Sequence, residues 1–192
     1  MKKIKLLALV AITILPSFKT FAGDDDNSKK GIRAGWQISN FYTDGNQVEE
    51  NLSSFYLGVY GEKKLLPLLR LGSGIEYNST GTTSNTLDAK FVRHAISVPV
   101  YLKVKLGPVF ALGGAAANFG IANKFSIAGE NVEIPDESKT KVFNLPVYLG
   151  LGVKFLMISI EARYHVGTLD LDKSNNSQMN NRYFQLGAAV SF

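Results

Sequence analysis

Most of the chain alternates between apolar and polar residues with a period of two, which is the pattern of a β-strand that separates two environments. Between positions 160 and 164, for example, Ile160, Ala162 and Tyr164 share one face while Glu161 and Arg163 share the other. The pattern predicts eight strands, at 31–41, 53–62, 68–78, 91–105, 109–118, 142–155, 158–168 and 181–192. The fifth of these is rich in alanine and glycine, so the pattern does not assign its faces.

The connections between these runs alternate in length. The short ones are 63–67, 106–108 and 156–157, and the long polar ones are 42–52, 79–90, 119–141 and 170–180. Bacterial outer-membrane barrels have short periplasmic turns and longer external loops. The alternation therefore predicts an all-β protein, an eight-stranded antiparallel up-and-down transmembrane β-barrel. The longest loop, 119–141, contains Phe125, Ile127, Val132 and Ile134 and is our first candidate for a surface that contacts an external partner.

The polar faces of the runs carry charges of both signs. On a lipid face each charge would cost about 2–4 kcal/mol near the bilayer midplane, whereas inside a barrel opposite charges can pair. We therefore expect an interior charge network of Arg33, Glu62, Arg70, Glu76, Lys103, Lys154, Glu161 and Arg163. The apolar faces carry aromatic residues near strand ends, as interfacial girdles do: Trp36, Phe55, Tyr77, Phe155, Tyr164 and Phe184.

Two prolines, Pro99 and Pro146, lie within predicted strands. Proline has no N–H to donate to the ladder, and a closed barrel has no edge strand to place it on. Each is expected to mark a bulge or a lost hydrogen bond.

The N-terminus has the pattern of a secretory signal peptide, residues 1–22, with early lysines, an apolar stretch and small residues before the expected cleavage site. Residues 23–30 are read as a short polar tail and residues 31–192 as the barrel. Cleavage removes four of the 21 basic residues and leaves 17 against 16 acidic ones, so the formal charge of +5 falls to +1. No basic surface remains that would predict nucleic-acid binding.

The composition excludes several kinds of site. With no cysteine the chain has no disulfide, no thiolate zinc site and no thiol nucleophile, and two histidines leave little for a metal centre. Asp24, Asp25 and Asp26 are read as a solvated tail. The segment 170–175 lacks the glycine and glutamate of a calcium loop. We expect neither a metal nor a cofactor.

The last ten residues, YFQLGAAVSF, resemble the C-terminal strand that the barrel-insertion machinery recognises in outer-membrane barrels, with Phe184, Leu186, Ala188, Val190 and Phe192 on one face. Further segments, LGVYG at 57, LLRLGSGIEY at 68, ISVPVYLK at 96, LGLGV at 149 and IEARY at 160, resemble the outer membrane protein β-barrel domain family, often labelled porin family. The resemblance covers nearly all of 30–192. It implies an eight-stranded barrel of the OmpX or OmpA type in the outer membrane of a Gram-negative bacterium, and it implies no defined biochemical activity.

The sequence lacks a catalytic motif that would indicate an enzymatic role. An outer-membrane lipid A deacylase has a serine two positions from its catalytic histidine, but here Gly167 follows His165 and Ile96 follows His94 at that spacing. We expect a non-enzymatic protein in outer-membrane lipid, with a lumen filled by side chains and a structural or surface-interaction role through the external loops and an unidentified extracellular partner. A small passive pore for solutes or ions is the alternative, and a soluble ligand-binding barrel with an apolar interior is the third possibility.

Overall fold

The computed structural model describes residues 27–43, 46–47, 50–84, 89–127, 130–132, 143–168 and 179–192. The predicted signal peptide, residues 23–26 of the polar tail and the segment 170–175 lie outside the described residues. The long strands are β1 (Ser28–Thr43), β2 (Glu50–Lys64), β3 (Leu69–Ser84), β4 (Ala89–Leu106), β5 (Val109–Ile127), β6 (Pro146–Phe155), β7 (Ile158–Gly167) and β8 (Met179–Ser191).

Each long strand pairs antiparallel with its neighbours in sequence, and β8 pairs with β1 to close the sheet. The seam is long and regular, with Gly31 opposite Ser191 and Thr43 opposite Met179. Three short strands are added at one end: Asn46–Gln47 beside β1, and Glu130–Val132 and Phe143–Asn144 beside β5. The predicted eight-stranded up-and-down barrel is confirmed.

Tight turns join the strands at one end of the barrel, which we call the turn end. Gly107 and Pro108 connect β4 to β5, and Leu156 and Met157 connect β6 to β7. Gly107 has a φ of 67° and Leu156 a φ of 53°. Two-residue hairpin turns favour positive φ because it matches the twist of the strands, and glycine adopts it without strain whereas leucine rarely does.

The strands continue further at the opposite end, the loop end, than the sequence pattern predicts. A tilted strand needs about 9–11 residues to cross a bilayer, and β6 and β7 have 10 residues each, but β4 has 18 and β5 has 19. Parts of all four predicted loops are therefore strand: 42–43, 50–52, 79–84, 89–90, 119–127 and 179–180. In 79–84 both faces of the strand are polar, so the alternation that predicts a strand is absent there, whereas 119–127 keeps Phe119, Ile121, Phe125 and Ile127 at alternate positions although we predicted a loop. At the turn end β1 begins at Ser28, inside the predicted polar tail.

The two prolines interrupt the ladder without shifting it. Residues 74 and 75 of β3 have no paired partner in β4 beside Pro99, although the register is the same on both sides of the gap. Pairing with β5 lapses in the same way between Phe143–Asn144 and Val147, where Pro146 lies. Each proline thus coincides with lost ladder pairing, one of the two predicted outcomes. The register shifts lie elsewhere, at 51–56 of β2 and at 94–95 of β4.

Side-chain exposure decides which face is inside. The outward positions of the strands are apolar and exposed, among them Leu149 at 73%, Leu151 at 64% and Phe155 at 79%. Arg33, Glu76 and Arg163, in contrast, are at most 2% exposed. The predicted inverted arrangement, apolar outside and polar inside, is confirmed. Among the described residues no helix is long and apolar enough to cross a membrane.

The outward face also carries the predicted aromatic residues. Near the loop end Trp36 lies opposite Phe55, and Tyr164 lies opposite Phe184, while Phe155 is exposed at the turn end. The Phe55 ring lies 5.8 Å from the half-buried ring of Tyr77. These positions fit two interfacial girdles that bound an apolar belt.

Candidate functional site

The barrel interior holds the predicted charged residues, and all eight face it. They fall into two groups, which the sequence pattern did not separate. Arg33, Glu76, Glu161 and Arg163 form one group at mid-height, which we call the central ring. The other four, Glu62, Arg70, Lys103 and Lys154, lie at the turn end.

The central ring alternates arginine and glutamate so that each carboxylate contacts both guanidinium groups. Arg163 Nη1 lies 2.9 Å from Glu76 Oε1, and Arg163 Nε lies 3.5 Å from Glu161 Oε1. Arg33 Nη1 lies 3.5 Å from Glu76 Oε1 and 3.4 Å from Glu161 Oε1. Two positive and two negative charges cancel, and all four side chains are at most 2% exposed. Such a closed, neutral group compensates the desolvation of each charge.

The rings of two tyrosines extend the central ring on either side. The Arg33 guanidinium lies 4.1 Å from the Tyr60 ring centroid, and the Arg163 guanidinium lies 4.8 Å from that of Tyr56. A guanidinium over an aromatic face gains further electrostatic attraction when it is desolvated. The arginines are therefore held by aromatic faces as well as by carboxylates.

Tyr101 connects the central ring to the turn end. Arg33 Nη2 donates a hydrogen bond to Tyr101 Oη at 2.7 Å, and Tyr101 Oη donates to Glu62 Oε1 at 3.0 Å. Glu62 also accepts a hydrogen bond from the Lys103 ammonium. The Tyr101 hydroxyl is thus the link between the two charged groups.

The turn end of the lumen is a cavity lined mainly by cations, which we call the basic mouth. Its charged residues are Lys29, Glu62, Arg70, Lys103, Lys105 and Lys154. They come from five strands, and their register places them at one level: Glu62 lies opposite Lys29, and Arg70 lies opposite Lys103. Five positive groups therefore surround one carboxylate, in contrast to the neutral central ring.

On the loop side of the central ring, stacked rings lie in the lumen. His165 lies between Tyr148 and Tyr183, with ring centroids 4.5 Å and 4.2 Å away. Its side chain is 2% exposed, so no substrate reaches it in this structure. A bonded amide pair lies beside the stack, because Gln185 Nε2 donates to Gln37 Oε1 at 2.7 Å.

Glycine on the interior face makes room for these rings. A Cβ added at Gly72 would overlap the Tyr101 ring, and one at Gly152 would overlap the Phe110 ring. The rings therefore lie directly on the backbone of the neighbouring strand. An eight-stranded barrel has an interior just wide enough for side chains to fill, and this packing fills it.

Sequence reasoning missed the interior aromatic residues as members of the site. Tyr101, Tyr148, Tyr183 and His165 were assigned to the polar face, but no pattern in the sequence shows that they stack or bridge charges. Their partners are distant in sequence, since Tyr101 and Arg33 are 68 positions apart. The paired glycines, such as Gly72 with Tyr101 across β3 and β4, are a signal only once the register is known. Among the described residues, no group of three histidine, aspartate or glutamate side chains could hold a metal ion.

Comparison with known proteins agrees with this architecture. A family model described as outer membrane protein beta-barrel domain matches residues 6–192. The chain belongs to this family. It is a protein of the bacterial outer membrane, and in barrels of this kind the short turns are periplasmic and the longer loops extracellular. The basic mouth therefore opens to the periplasm.

Solved structures share the fold of this family member at low identity. Ail, the attachment invasion locus protein of Yersinia pestis, in complex with the heparin analogue sucrose octasulfate, is 17% identical, with a TM-score of 0.53 over 86% of this chain and 99% of Ail. Neisserial surface protein A is 13% identical, with a TM-score of 0.56 over 85% of this chain and 97% of that one. No curated protein sequence matches the chain.

The predicted assembly signal lies on the lipid-facing side of β8. Phe184, Leu186, Val190 and Phe192 are all exposed outward. Val190 lies opposite Ile32 and Leu186 lies opposite Trp36, so the segment forms the closing seam with β1. Its recognition by the barrel-insertion machinery stays a prediction.

Proposed function

We propose that the protein is a closed, non-conducting outer-membrane barrel whose role is exercised by its extracellular strand ends and loops. The observation that carries this proposal is the central ring, in which four charged side chains cancel one another and are at most 2% exposed. The stacked Tyr148, His165 and Tyr183 close the lumen a second time above it. Water and ions would have to displace both layers to pass.

Single-channel recording tests the closed lumen directly. Protein purified from outer membranes is inserted into a planar bilayer, with heat-modifiable gel mobility to show that it is folded and a conducting porin in a separate, identical bilayer as a positive control. We expect no discrete conductance steps. Reproducible steps from folded protein would support the small-pore alternative and would make the central ring a selectivity site.

The proposed interaction surface is the extracellular extension of β4 and β5. The predicted partner loop 119–141 becomes strand up to Ile127, and the short strand Glu130–Val132 pairs back onto it, with Phe125 opposite Val132. Two lysines, Lys90 on β4 and Lys124 on β5, are exposed there. Ile134 lies outside the described residues.

A sulfated polysaccharide is the first probe for this surface, because Ail, which shares the fold, was crystallised with a heparin analogue. The test is retention of the folded protein on immobilised heparin at low salt. We expect the K90Q/K124Q variant to elute earlier and K63Q, changed at the periplasmic end, to elute as the wild type does. Equal elution of all three would remove these lysines from the proposed surface.

The proposal includes no enzymatic step. His165, the histidine nearest the charged interior, is stacked between two tyrosines and sealed from solvent. His94 is bonded to the Tyr77 hydroxyl at 2.6 Å on the outward face. Among the residues that the structure describes, neither histidine is bonded to a serine hydroxyl, as a nucleophilic site would require.

A further inference from the structure

The basic mouth is out of electrostatic balance in a way that the central ring is not. Lys103 is paired with Glu62. Lys29, Arg70, Lys105 and Lys154 face the same cavity and have no carboxylate within ion-pair distance among the described residues. Like charges that share a low-dielectric cavity raise each other's free energy unless an anion joins them.

Arg70 gives a second observation that points to a missing hydrogen-bond acceptor in the basic mouth. Its Nη1 atom is buried and has no hydrogen-bond partner among the described residues. Buried donors in native proteins are almost always satisfied, by protein or by a bound ion or water. A guanidinium is also the group that best matches the oxygens of phosphate or carboxylate.

The surroundings of the mouth indicate which anions reach it. The turns beside it expose large apolar side chains, with Leu66 at 60%, Leu106 at 66% and Leu156 at 79%. Such turns are stable where they contact lipid, so the mouth lies at the level of the headgroups of the inner leaflet. The cavity is small, about 10 Å³, and opens to solvent, so it suits a small oxyanion at its rim rather than a large ligand.

We propose that the basic mouth binds a phosphate-type oxyanion at the periplasmic end of the barrel, supplied by free phosphate or by the phosphate of a lipid headgroup. Arg70 and Lys154 hold the anion from opposite walls, and Lys29 and Lys105 add charge at the rim. Glu62 keeps Lys103 neutralised, so the site selects an anion for the four remaining cations. This site is separate from the extracellular surface proposed above and does not depend on it.

The first arm of the test uses free phosphate. Protein purified from outer membranes into an uncharged maltoside detergent is titrated with inorganic phosphate by isothermal titration calorimetry. We expect saturable binding that weakens as sodium chloride is added, because the attraction is screened. The R70Q/K154Q variant is expected to bind about tenfold more weakly or worse, since it loses two charge-assisted contacts. The matched control, K63Q, removes an exposed lysine beside Glu62 that faces away from the mouth, and should bind like the wild type.

The second arm distinguishes the lipid source. Native mass spectrometry of the same preparations is expected to detect retained phosphatidylglycerol on wild type and K63Q but not on R70Q/K154Q if a headgroup fills the site. In bilayers of phosphatidylglycerol, free phosphate should then no longer bind. Phosphate binding in detergent with no retained lipid would assign the site to the free ion, and either result supports the proposal.

Three outcomes would overturn it. One is folded wild type that neither binds phosphate nor retains a phospholipid. The second is R70Q/K154Q that behaves as wild type in both arms. The third is phosphate binding by the D24N/D25N/D26N variant alone. Asp24, Asp25 and Asp26 precede β1 closely in sequence and lie outside the described residues. This result would mean that the carboxylates of the chain's own tail are the anion that the mouth binds.

Discussion

The central ring and the basic mouth are parts of one lumen, yet the charges of the ring cancel and those of the mouth do not. In the ring, Arg33, Glu76, Glu161 and Arg163 are sealed from water and are paired one for one. In the mouth, five cations share one carboxylate and contact solvent. The difference follows from depth: fully buried charges are stable only when they are paired within the protein, whereas cations around a cavity that opens to solvent can be balanced by water and by an anion from outside.

The largest expected effect comes from removing one partner of the central ring. In Arg163→Met, Glu76 and Glu161 keep only Arg33 as a cationic partner, so we expect the free energy of unfolding to fall by about 3–5 kcal/mol. Urea titration in detergent, followed by heat-modifiable gel mobility, measures this. The matched control is E76Q/R163M, which removes one charge of each sign and should cost less than the sum of the two single changes. Additive losses would show that the ring is not a coupled unit.

The next effect concerns the packing between the two regions. In Gly72→Ala the new methyl group would overlap the Tyr101 ring, and we expect a loss of about 1–3 kcal/mol from overpacking. Gly113→Ala is the control, because its Cβ would point outward and meet the flexible end of Leu149 at 3.0 Å and the Tyr148 carbonyl oxygen at an ordinary 3.8 Å. The same urea titration compares the two variants. Equal stability would mean that the ring of Tyr101 moves aside at little cost.

The link between the regions is tested by Tyr101→Phe, which keeps the ring and removes the hydroxyl between Arg33 and Glu62. We expect a loss of about 1–2 kcal/mol, because two hydrogen bonds to charged groups are lost without a cavity. A double-mutant cycle with Lys103→Gln should show coupling, since both side chains bond to Glu62. A coupling energy of zero would mean that the ring and the mouth are independent.

The smallest effect is expected in the basic mouth itself. Lys154→Gln should change the free energy of unfolding by less than about 0.5 kcal/mol, because a solvated charge contributes little and its removal relieves repulsion from its neighbours. The measurement is urea unfolding at low and high sodium chloride, where added salt should shrink any difference from wild type. A loss as large as that of Arg163→Met would show that the mouth is as tightly paired as the ring.

Much of the architecture could be predicted from the sequence because the apolar and polar residues of each strand alternate between two environments. The alternation of Ile160, Ala162 and Tyr164 with Glu161 and Arg163 predicts a lipid face and a lumen face without any knowledge of the neighbouring strands. The predicted strand ends were wrong at the extracellular parts of β3, β4 and β5, where residues that we expected in loops are strand. In 79–84 of β3 both faces are polar, so strand and loop look alike in sequence, whereas in 119–127 of β5 Phe119, Ile121, Phe125 and Ile127 recur at alternate positions and this strand signal was missed.

The candidate sites could be predicted from the sequence only in part, for a different reason. Sequence could place Arg33, Glu62, Arg70 and Arg163 in the lumen, because side-chain parity is a local property. It could not show that the central ring and the basic mouth are separate groups. That separation depends on how far along the barrel axis each residue lies, which is set by the strand register across the sheet. Arg33 and Glu161 are 128 positions apart in the chain but are ion-paired across the lumen.

The sequence by itself therefore determined the kind of protein: eight amphipathic strands, an apolar outside, a charged interior and a membrane location. Only the tertiary structure decided which charges meet, because closure of β8 on β1 brings distant residues to the same level. The register between neighbouring strands also sets the rings of Tyr101 and Phe110 on Gly72 and Gly152. The physical reason is that facing a membrane is a property of single residues, whereas pairing a charge is a property of two residues in three dimensions.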